Sequence, residues 1–544
     1  MTSSVCKISG QPFSITDKDR AFYVKVEVPE PTLCPEERRR RRLAIRNELS
    51  LYNRTCDKTG KSIISQYAPG VPYVIWDTEE WWKDDWDPLE YGREFDFSRS
   101  FFEQFAELQA VVPRMGLNNI AAENSRYANY ALRNKDCYLV YTADENEKCY
   151  YCRFADRNYQ CMDCDFIYDS RFCVGLLHAE NVEASFYSQK VKNSSGLYFC
   201  YNVQGCHDCM FTTNVQNKQY MMFNKQLTKE EYEARKKNLG LDTAEGFAKA
   251  LMYFEELLAK TPRKHLENKN CEGCVGDYLV DCKDVEESYD CFRSRDVKFG
   301  THLYEAQDCY DWDFVGYKSE LCYEMASSAY QMVRCRFTMN SWEGNENLTY
   351  SDLCLGNRDL FGCVGLRKKR FCILNKQYSQ EEYEVLVPRI IEYMKTTGEW
   401  GDFFPISISP YGYNETVASE YFPLTKEEAL KRGYKWKDDD ESVAYQGPEV
   451  VLPSSINEAK EAEVCVSILR CETSGDLYKI IPQEFAIYRK FGIALPRLSP
   501  LARHRARMAL RNPRVLHDRV CGTCGVALKT SYAPNRPEPI LCES

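Results

Sequence analysis

Through the middle of the chain, short segments rich in Tyr, Phe and Val alternate with Asn, Asp and Gly turns, and cysteines mark the repeat. Cys137, Cys149, Cys161 and Cys173 are twelve residues apart, and Cys152 and Cys164 keep the same step. Further on the step changes. Cys282–Cys291 and Cys354–Cys363–Cys372 advance by nine, and Cys309–Cys322–Cys335 by thirteen. Regular steps of this kind predict a β-solenoid or a stack of short hairpins, in which one position recurs on one inward face. A thiol suits a narrow interior that would reject Leu. A second match has an offset of 151: Asn224-Lys225-Gln226 with Glu230-Glu231-Tyr232-Glu233 returns as Asn375-Lys376-Gln377 with Glu381-Glu382-Tyr383-Glu384. In both places an aromatic run (Tyr220–Phe223, Phe371–Leu374) predicts a strand, and Thr228-x-x-Glu231 or Ser379-x-x-Glu382 predicts a capped helix. The first helix is expected to continue into Ala244–Lys260 and the second to run to about Lys395. The body therefore reads as two halves, 118–262 and 263–400. Before it, Ser100-x-x-Glu103 predicts a helix in the connector 99–117, with Phe101, Phe105 and Leu108 on the face that docks the first module on the body. After it, 401–464 reads as an extended segment and a charged linker.

The two ends are copies of each other. Shifting the chain by 465 positions places Cys6–Glu79 on Cys471–Ser544 without a gap, with about 25 identities in about 74 positions. Ser9-Gly10 falls on Ser474-Gly475, Tyr23 on Tyr488, Arg46-Asn47 on Arg511-Asn512, and Tyr67-Ala68-Pro69 on Tyr532-Ala533-Pro534. The expected modules are 1–98 and 465–544.

Ligand positions follow from the same alignment. Cys521-Gly-Thr-Cys524-Gly is a CxxCG turn, and Cys542 follows at zinc-ribbon spacing, so these three thiolates can share one tetrahedral zinc. The fourth ligand would fall at position 545; His517, Glu543, the terminal carboxylate or water are the alternatives. In the N-terminal copy Cys56 remains, while Thr59, Asp77 and Glu80 stand at the other positions, a poor set for zinc. Cys6 and Cys34, with Ser9 and Glu37, mark a further site whose C-terminal counterpart keeps Cys471 beside Ser474, Ser499 and Ala502. The competing reading is that Cys6, Cys34, Cys56 and Cys471 are lone buried thiols. In the body, Cys149, Cys152, Cys161 and Cys164 form two CxxC pairs able to close a metal site, although the twelve-residue register explains them without one. Cys206/Cys209 and Cys271/Cys274 are CxxC pairs too.

Charge modifies this picture. The chain has 544 residues, is 44% hydrophobic, holds 27 Cys and carries a formal charge of −10, which disfavours bulk attraction to nucleic acid. Yet 34–63 is about +5 and 497–530 about +7. Both stretches read as helices, carrying Arg38, Arg39, Arg40, Arg41, Arg42 and Arg46 in one copy and Arg503, Arg505, Arg507 and Arg511 in the other. They are candidate phosphate contacts for RNA, DNA or a nucleoprotein; solvated helices, or pairing with the acidic stretch Glu79–Asp96, are the alternatives. The Trp-rich segment Trp76–Phe97 offers either a partner contact or packing over the first module. Thr59-Gly60-Lys61-Ser62 lacks the earlier glycine of a phosphate loop, and HExxH, GxSxG and GxGxxG signatures are missing. No signal-peptide or membrane-length apolar run is present, which points to a reducing cytoplasmic setting with free or metal-bound thiols.

The expected fold is thus mixed α+β and β-rich: a central two-part β-solenoid-like Cys/Tyr-rich body with capping helices, flanked by two duplicated zinc-ribbon or treble-clef-like modules. The expected function is a non-enzymatic zinc-ribbon scaffold or binding protein, with a thiol-rich metal or redox protein (an enzyme included) and a protein–protein scaffold as alternatives. The segments PTLCPEERRRRRLAIRNELSLYNRTCDKTGK, EWWKDDWDPLEYGREFDFSRSFFEQF, GCVGLRKKRFCILNKQYSQEEYE, SPYGYNETVA and TSYAPNRPEPILCES together resemble a family of large cysteine-rich, zinc-ribbon-bearing proteins predicted from candidate-phylum bacterial genomes. The resemblance implies complete CxxC pairs where this chain has Ser9, Glu37, Thr59, Asp77, Glu80, Ser474, Ser499 and Ala502, and a Cys-Tyr continuation after Cys542-Glu-Ser. It brings architecture and no activity.

Overall fold

The structure is a computed structural model that describes residues 2–283, 285, 288–292, 309–310, 312–313, 323–324, 327–328, 340–341, 344–438 and 447–543. Cys322 and Cys335 of the thirteen-residue step lie outside the described residues. The chain is mixed α and β and forms two compact units: 1–117 with 266–438, and 118–265 with 439–544.

In the second unit the dominant feature is a twelve-stranded sheet. Successive strands pair in parallel with a register of twelve: Asn129, Tyr141, Arg153, Asp165, Leu177, Gln189, Tyr201 and Thr213 stand side by side. Parallel pairing excludes stacked antiparallel hairpins here. Each coil is built from four triplets, because every third residue from Tyr130 to Phe223 has a positive φ, between 46° and 70°. Most of these residues are not glycine, so each carries a left-handed penalty of about 1–2 kcal/mol that the inter-coil hydrogen bonds and burial must offset. The residue after each left-handed one points inward. From Ala131 to Thr212 these are Ala, Asn, Cys, Val, Ile, Ser, Leu and Thr, all buried. The interior, a triplet wide on each side, admits Ile167, Leu176 and Leu197 beside the smaller side chains, which corrects the expectation that it would reject Leu.

Polar interior positions are satisfied coil to coil. Asn146 Nδ2 donates to Asn134 Oδ1 and Asn158 Nδ2 to Asn146 Oδ1, both at 2.9 Å, while Asn158 Nδ2 also reaches the Ile167 carbonyl. Interior thiols donate to carbonyls, as Cys137 Sγ does to Lys135 O at 3.3 Å and Asn146 O at 3.4 Å. The stack is closed by Met221–Met222 turning back on Lys225–Gln226 and by helices Lys229–Lys237 and Ala244–Lys260, which bury Tyr232 and Phe254 against Phe199 and Phe211. Thr228 and Glu231 form the expected capping box.

The first unit holds a second stack. Its clearest coils pair Glu346, Arg358 and Arg370 in a register of twelve, and Gly276 pairs with Ser288. The register is twelve in these coils, and eleven where Lys269 pairs with Val280 and Glu272 with Lys283. The nine-residue cysteine steps connect different inward columns, three triplets apart: Cys354 Sγ donates to the Cys363 carbonyl, and Cys363 Sγ to that of Cys372. One thirteen-residue register does occur, between Ser327 and Asn340. Helix Gln380–Thr397, with its Ser379/Glu382 box, closes this stack. Helix Phe101–Val111 buries Phe101, Phe105 and Leu108 in a cluster with Tyr350, Phe361 and Phe404, so it docks on the second half of the body and not on the half that follows it in sequence. The Trp-rich segment is also packed on this stack: Arg367 lies over Trp81 and Trp86 and donates to the Trp82 carbonyl, and Lys369 pairs with Asp87 at 2.8 Å. The segment packs over the first module as well, with Trp76 in the cluster of Cys56, Ile63 and Tyr67 and Lys58 over its ring at 4.7 Å.

The terminal modules match element for element at the 465 offset. Helices Asp17–Lys25 and Pro35–Leu43 correspond to Pro482–Phe491 and Pro500–Ala509; hairpin Tyr52–Thr55/Ser62–Ser65 corresponds to His517–Val520/Ala527–Thr530; Ile75–Trp76 corresponds to Ile540–Leu541. Even the partner of the last strand is matched. Ile75–Trp76 pairs in parallel with Arg114–Met115, and Ile540–Leu541 with Arg263–Lys264.

Candidate metal centre

Each module contains two tight turns of identical backbone form, four in all. The first cysteine of each donates its N–H five residues on (Cys6 to Gln11, Cys56 to Lys61, Cys471 to Asp476, Cys521 to Val526) and its carbonyl accepts from the glycine four residues on. Gly10, Gly60, Gly475 and Gly525 have φ of 70°, 70°, 74° and 73° with open space around a notional Cβ, so the left-handed backbone alone demands glycine there. The residue after each cysteine then donates to a carbonyl two residues before the third ligand position: Lys7 to Thr32, Asp57 to Ile75, Glu472 to Arg497, Gly522 to Ile540. This bond brings the third position over the turn four times over.

Only the fourth turn keeps three thiols. Ligand atoms of Cys521, Cys524 and Cys542 lie within 4.8 Å of one another, with Cys524 Sγ 3.6 Å from Cys542 Sγ. This group can hold a metal ion. The N–H of Cys542 donates to Cys521 Sγ at 3.4 Å. Backbone N–H groups of Cys524, Cys542 and Thr523 aimed at that sulfur hold the Cys521 thiol down to about 6. Cys524 is exposed, so the group opens to solvent. His517 sits at the far end of the hairpin, opposite Thr530, and the Glu543 carboxylate pairs with Lys264 at 2.7 Å; neither joins the group.

The other three turns have internal substitutes. At Cys56, Lys58 Nζ lies 2.7 Å from Asp85 and 3.5 Å from Glu80, the residue at the fourth ligand position, so an ammonium supplies the positive charge. At Cys6 and Cys34, Ser9 Oγ is 3.7 Å from Cys34 Sγ, and Glu37 is taken by Arg40 and by Arg432 at 3.0 Å. At Cys471 the neighbours are Thr473 and Ser474, and Ser499 caps helix Pro500–Ala509. Among the described residues no second group of three ligand atoms forms around Cys6, Cys34, Cys56 or Cys471. The same holds for Cys149, Cys152, Cys161 and Cys164. They are fully buried, line the stack interior, and donate to main-chain carbonyls such as Tyr150 and Met162. Burial raises the Cys149, Cys152 and Cys161 thiols well above their ordinary range.

The arginine-rich helices are turned inward. Arg42 Nε donates to Asp313 at 3.0 Å, Arg39 to the same carboxylate at 3.2 Å, and Arg41 to Glu324 at 3.0 Å. Arg38 reaches Tyr23, Arg40 pairs with Glu36 and Glu37, and Arg46 with Glu48. In the other copy Arg507 pairs with Asp165 at 2.6 Å and Asp163 at 3.2 Å; Arg503 pairs with Asp163 at 2.8 Å and Glu484 at 2.9 Å. Arg511 stacks on Phe166 and donates to His178. Of the ten arginines proposed as phosphate contacts only Arg505 is exposed. The expectation of a basic face is corrected, because carboxylates outside the modules (Asp163, Asp165, Asp313, Glu324) and within them (Glu36, Glu37, Glu48, Glu484) pair with these residues. Burial opposes ionisation of Asp165, yet Arg507 and His504 hold its carboxyl well below the usual range. Burial raises Glu484 to about 7, with Arg503 opposing.

Sequence reasoning missed these receptors. Asp163, Asp165, Asp313 and Glu324 carry no motif. The signal that existed was the retention in both copies of arginines four apart, Arg38/Arg42 and Arg503/Arg507, which fixes one helix face. Comparison with known protein families, with curated proteins and with solved structures finds no match to the chain. Among the described residues no helix is long and apolar enough to cross a membrane.

Proposed function

We propose that the protein is a non-enzymatic scaffold: two β-solenoid stacks, each gripped by a zinc-ribbon-like terminal module, with one zinc held by Cys521, Cys524 and Cys542. Three thiolates on a CxxC turn suit a borderline-soft tetrahedral ion, with a fourth ligand drawn from outside the trio. The observation that carries the scaffold reading is the fate of the reactive side chains. Twenty of the 25 described cysteines are buried, and nine of the ten candidate arginines are turned into the protein. Side chains consumed in packing and ion pairs are unavailable for substrate.

Differential alkylation of the native protein, read by mass spectrometry, tests this. Cys271, Cys274 and Cys465 are expected to label first, Cys521, Cys524 and Cys542 only after chelation, and the interior thiols only on unfolding. A rapidly labelled cysteine among those lining either stack would favour a thiol-based enzyme instead.

A further inference from the structure

The two copies of the module differ in what covers one helix face. In the first unit, helix Pro35–Leu43 and the turn after it are overlaid by 405–422: Ser409 Oγ donates to the Ala44 carbonyl at 2.8 Å and the Val417 N–H to the Arg46 carbonyl at 2.9 Å. Arg40 lies over the Phe422 ring at 5.0 Å and Arg39 over Tyr421 at 4.7 Å. All eight residues 41–48 are buried. In the second unit the counterparts of Arg40, Arg41, Ala44 and Ile45 are Arg505, Ala506, Ala509 and Leu510, and all four are exposed, Leu510 by 46% against 2% for Ile45.

We propose that this face of helix Pro500–Ala509 is a docking surface for an extended, aromatic-containing polypeptide segment of a partner protein. The first copy defines the occupant's chemistry. An aromatic ring stacks on Arg505, a backbone N–H or hydroxyl donates near Ala509, and an apolar side chain covers Leu510. Ala502 replaces Glu37, so the cation that Arg432 supplies in the first copy is not needed. Arg39's counterpart His504 is turned to Asp165, 3.2 Å away, which leaves Arg505 as the face's cation.

The probe is a fluorescent peptide with the sequence of residues 405–422, titrated by anisotropy into the full chain, whose first copy is already filled by its own segment. Saturable one-to-one binding is expected, weakened about tenfold or more by Leu510→Asp and about threefold by Arg505→Ala. Val451→Asp, a control at a residue 87% exposed elsewhere in the unit, should leave it unchanged. These exposed substitutions are expected to leave the thermal transition in place. No saturable binding, or binding that Leu510→Asp leaves intact or Val451→Asp equally removes, overturns the proposal. A dimer in sedimentation that Leu510→Asp dissolves would give the face to a second copy and overturn it too.

Discussion

The N-terminal and C-terminal modules share one backbone and hold it by different means. At the N-terminal end the second turn has an ammonium, Lys58, between Asp85 and Glu80, Glu37 is neutralised by arginines, and 405–422 is laid over the helix. At the C-terminal end three thiols converge and the corresponding helix face is bare. The comparison teaches that the turn geometry does not itself require metal. Main-chain bonds and a left-handed glycine specify it, and either a metal ion or internal charge pairs and packing can secure it. What both modules retain is the arginine pair that anchors the helix in stack carboxylates, Arg42 in one and Arg507 in the other.

The comparison can be broken most severely at those anchors. Arg507→Ala leaves Asp165 buried without its guanidinium, while Asp163 keeps Arg503, and should cost about 3–5 kcal/mol in the second unit; Arg42→Ala should cost the first unit a similar amount. The check is unfolding of each variant by denaturant, with changes below about 1 kcal/mol showing that shape alone docks the modules. A smaller effect of opposite pH sense is expected at Glu484. Its carboxyl is raised by burial to about 7, so the stability contributed by its neutral form is complete below the unfolded value near 4.5 and is lost as pH rises through 7. Glu484→Gln should flatten that slope, about 3 kcal/mol in all, in melts recorded from pH 4 to pH 8. Asp165 has the opposite sign: its contribution is present above the unfolded carboxylate range and is lost only in acid. Smaller again, Asn146→Ala should cost about 1–3 kcal/mol, since it leaves the side chains of Asn134 and Asn158 short of a partner inside the stack. Amide exchange should rise first in the coils around 134–158.

Much of the architecture was legible because residue type and position coincide. Cysteine marks the twelve-residue step of the first stack directly, since the inward columns of Cys137–Cys173 and Cys152–Cys164 are thiol-filled. The capping boxes and the duplicated turns were legible for the same reason, their geometry tolerating few residue types. The nine-residue steps misled because Cys354, Cys363 and Cys372 occupy different columns of successive twelve-residue coils. The left-handed triplet rhythm was illegible, because Tyr, Phe, Arg and Lys, which do not favour that backbone, share its positions with Asn, Asp and Gly, which do. Arginine was read as surface because isolated charge avoids the interior; the long-range carboxylates that make burial possible, 271 residues away for Arg42, have no local signature. Which half of the body each module joins was hidden for the same reason.

The account rests on metal at one turn out of four. Elemental analysis of natively purified full-length protein should give one zinc per chain. It should fall to none in Cys524→Ser, stay at one in Cys56→Ser and Cys471→Ser, and rise towards two when Thr59→Cys and Asp77→Cys are combined. Zero zinc in the unaltered protein, or one zinc that survives Cys524→Ser, would contradict it.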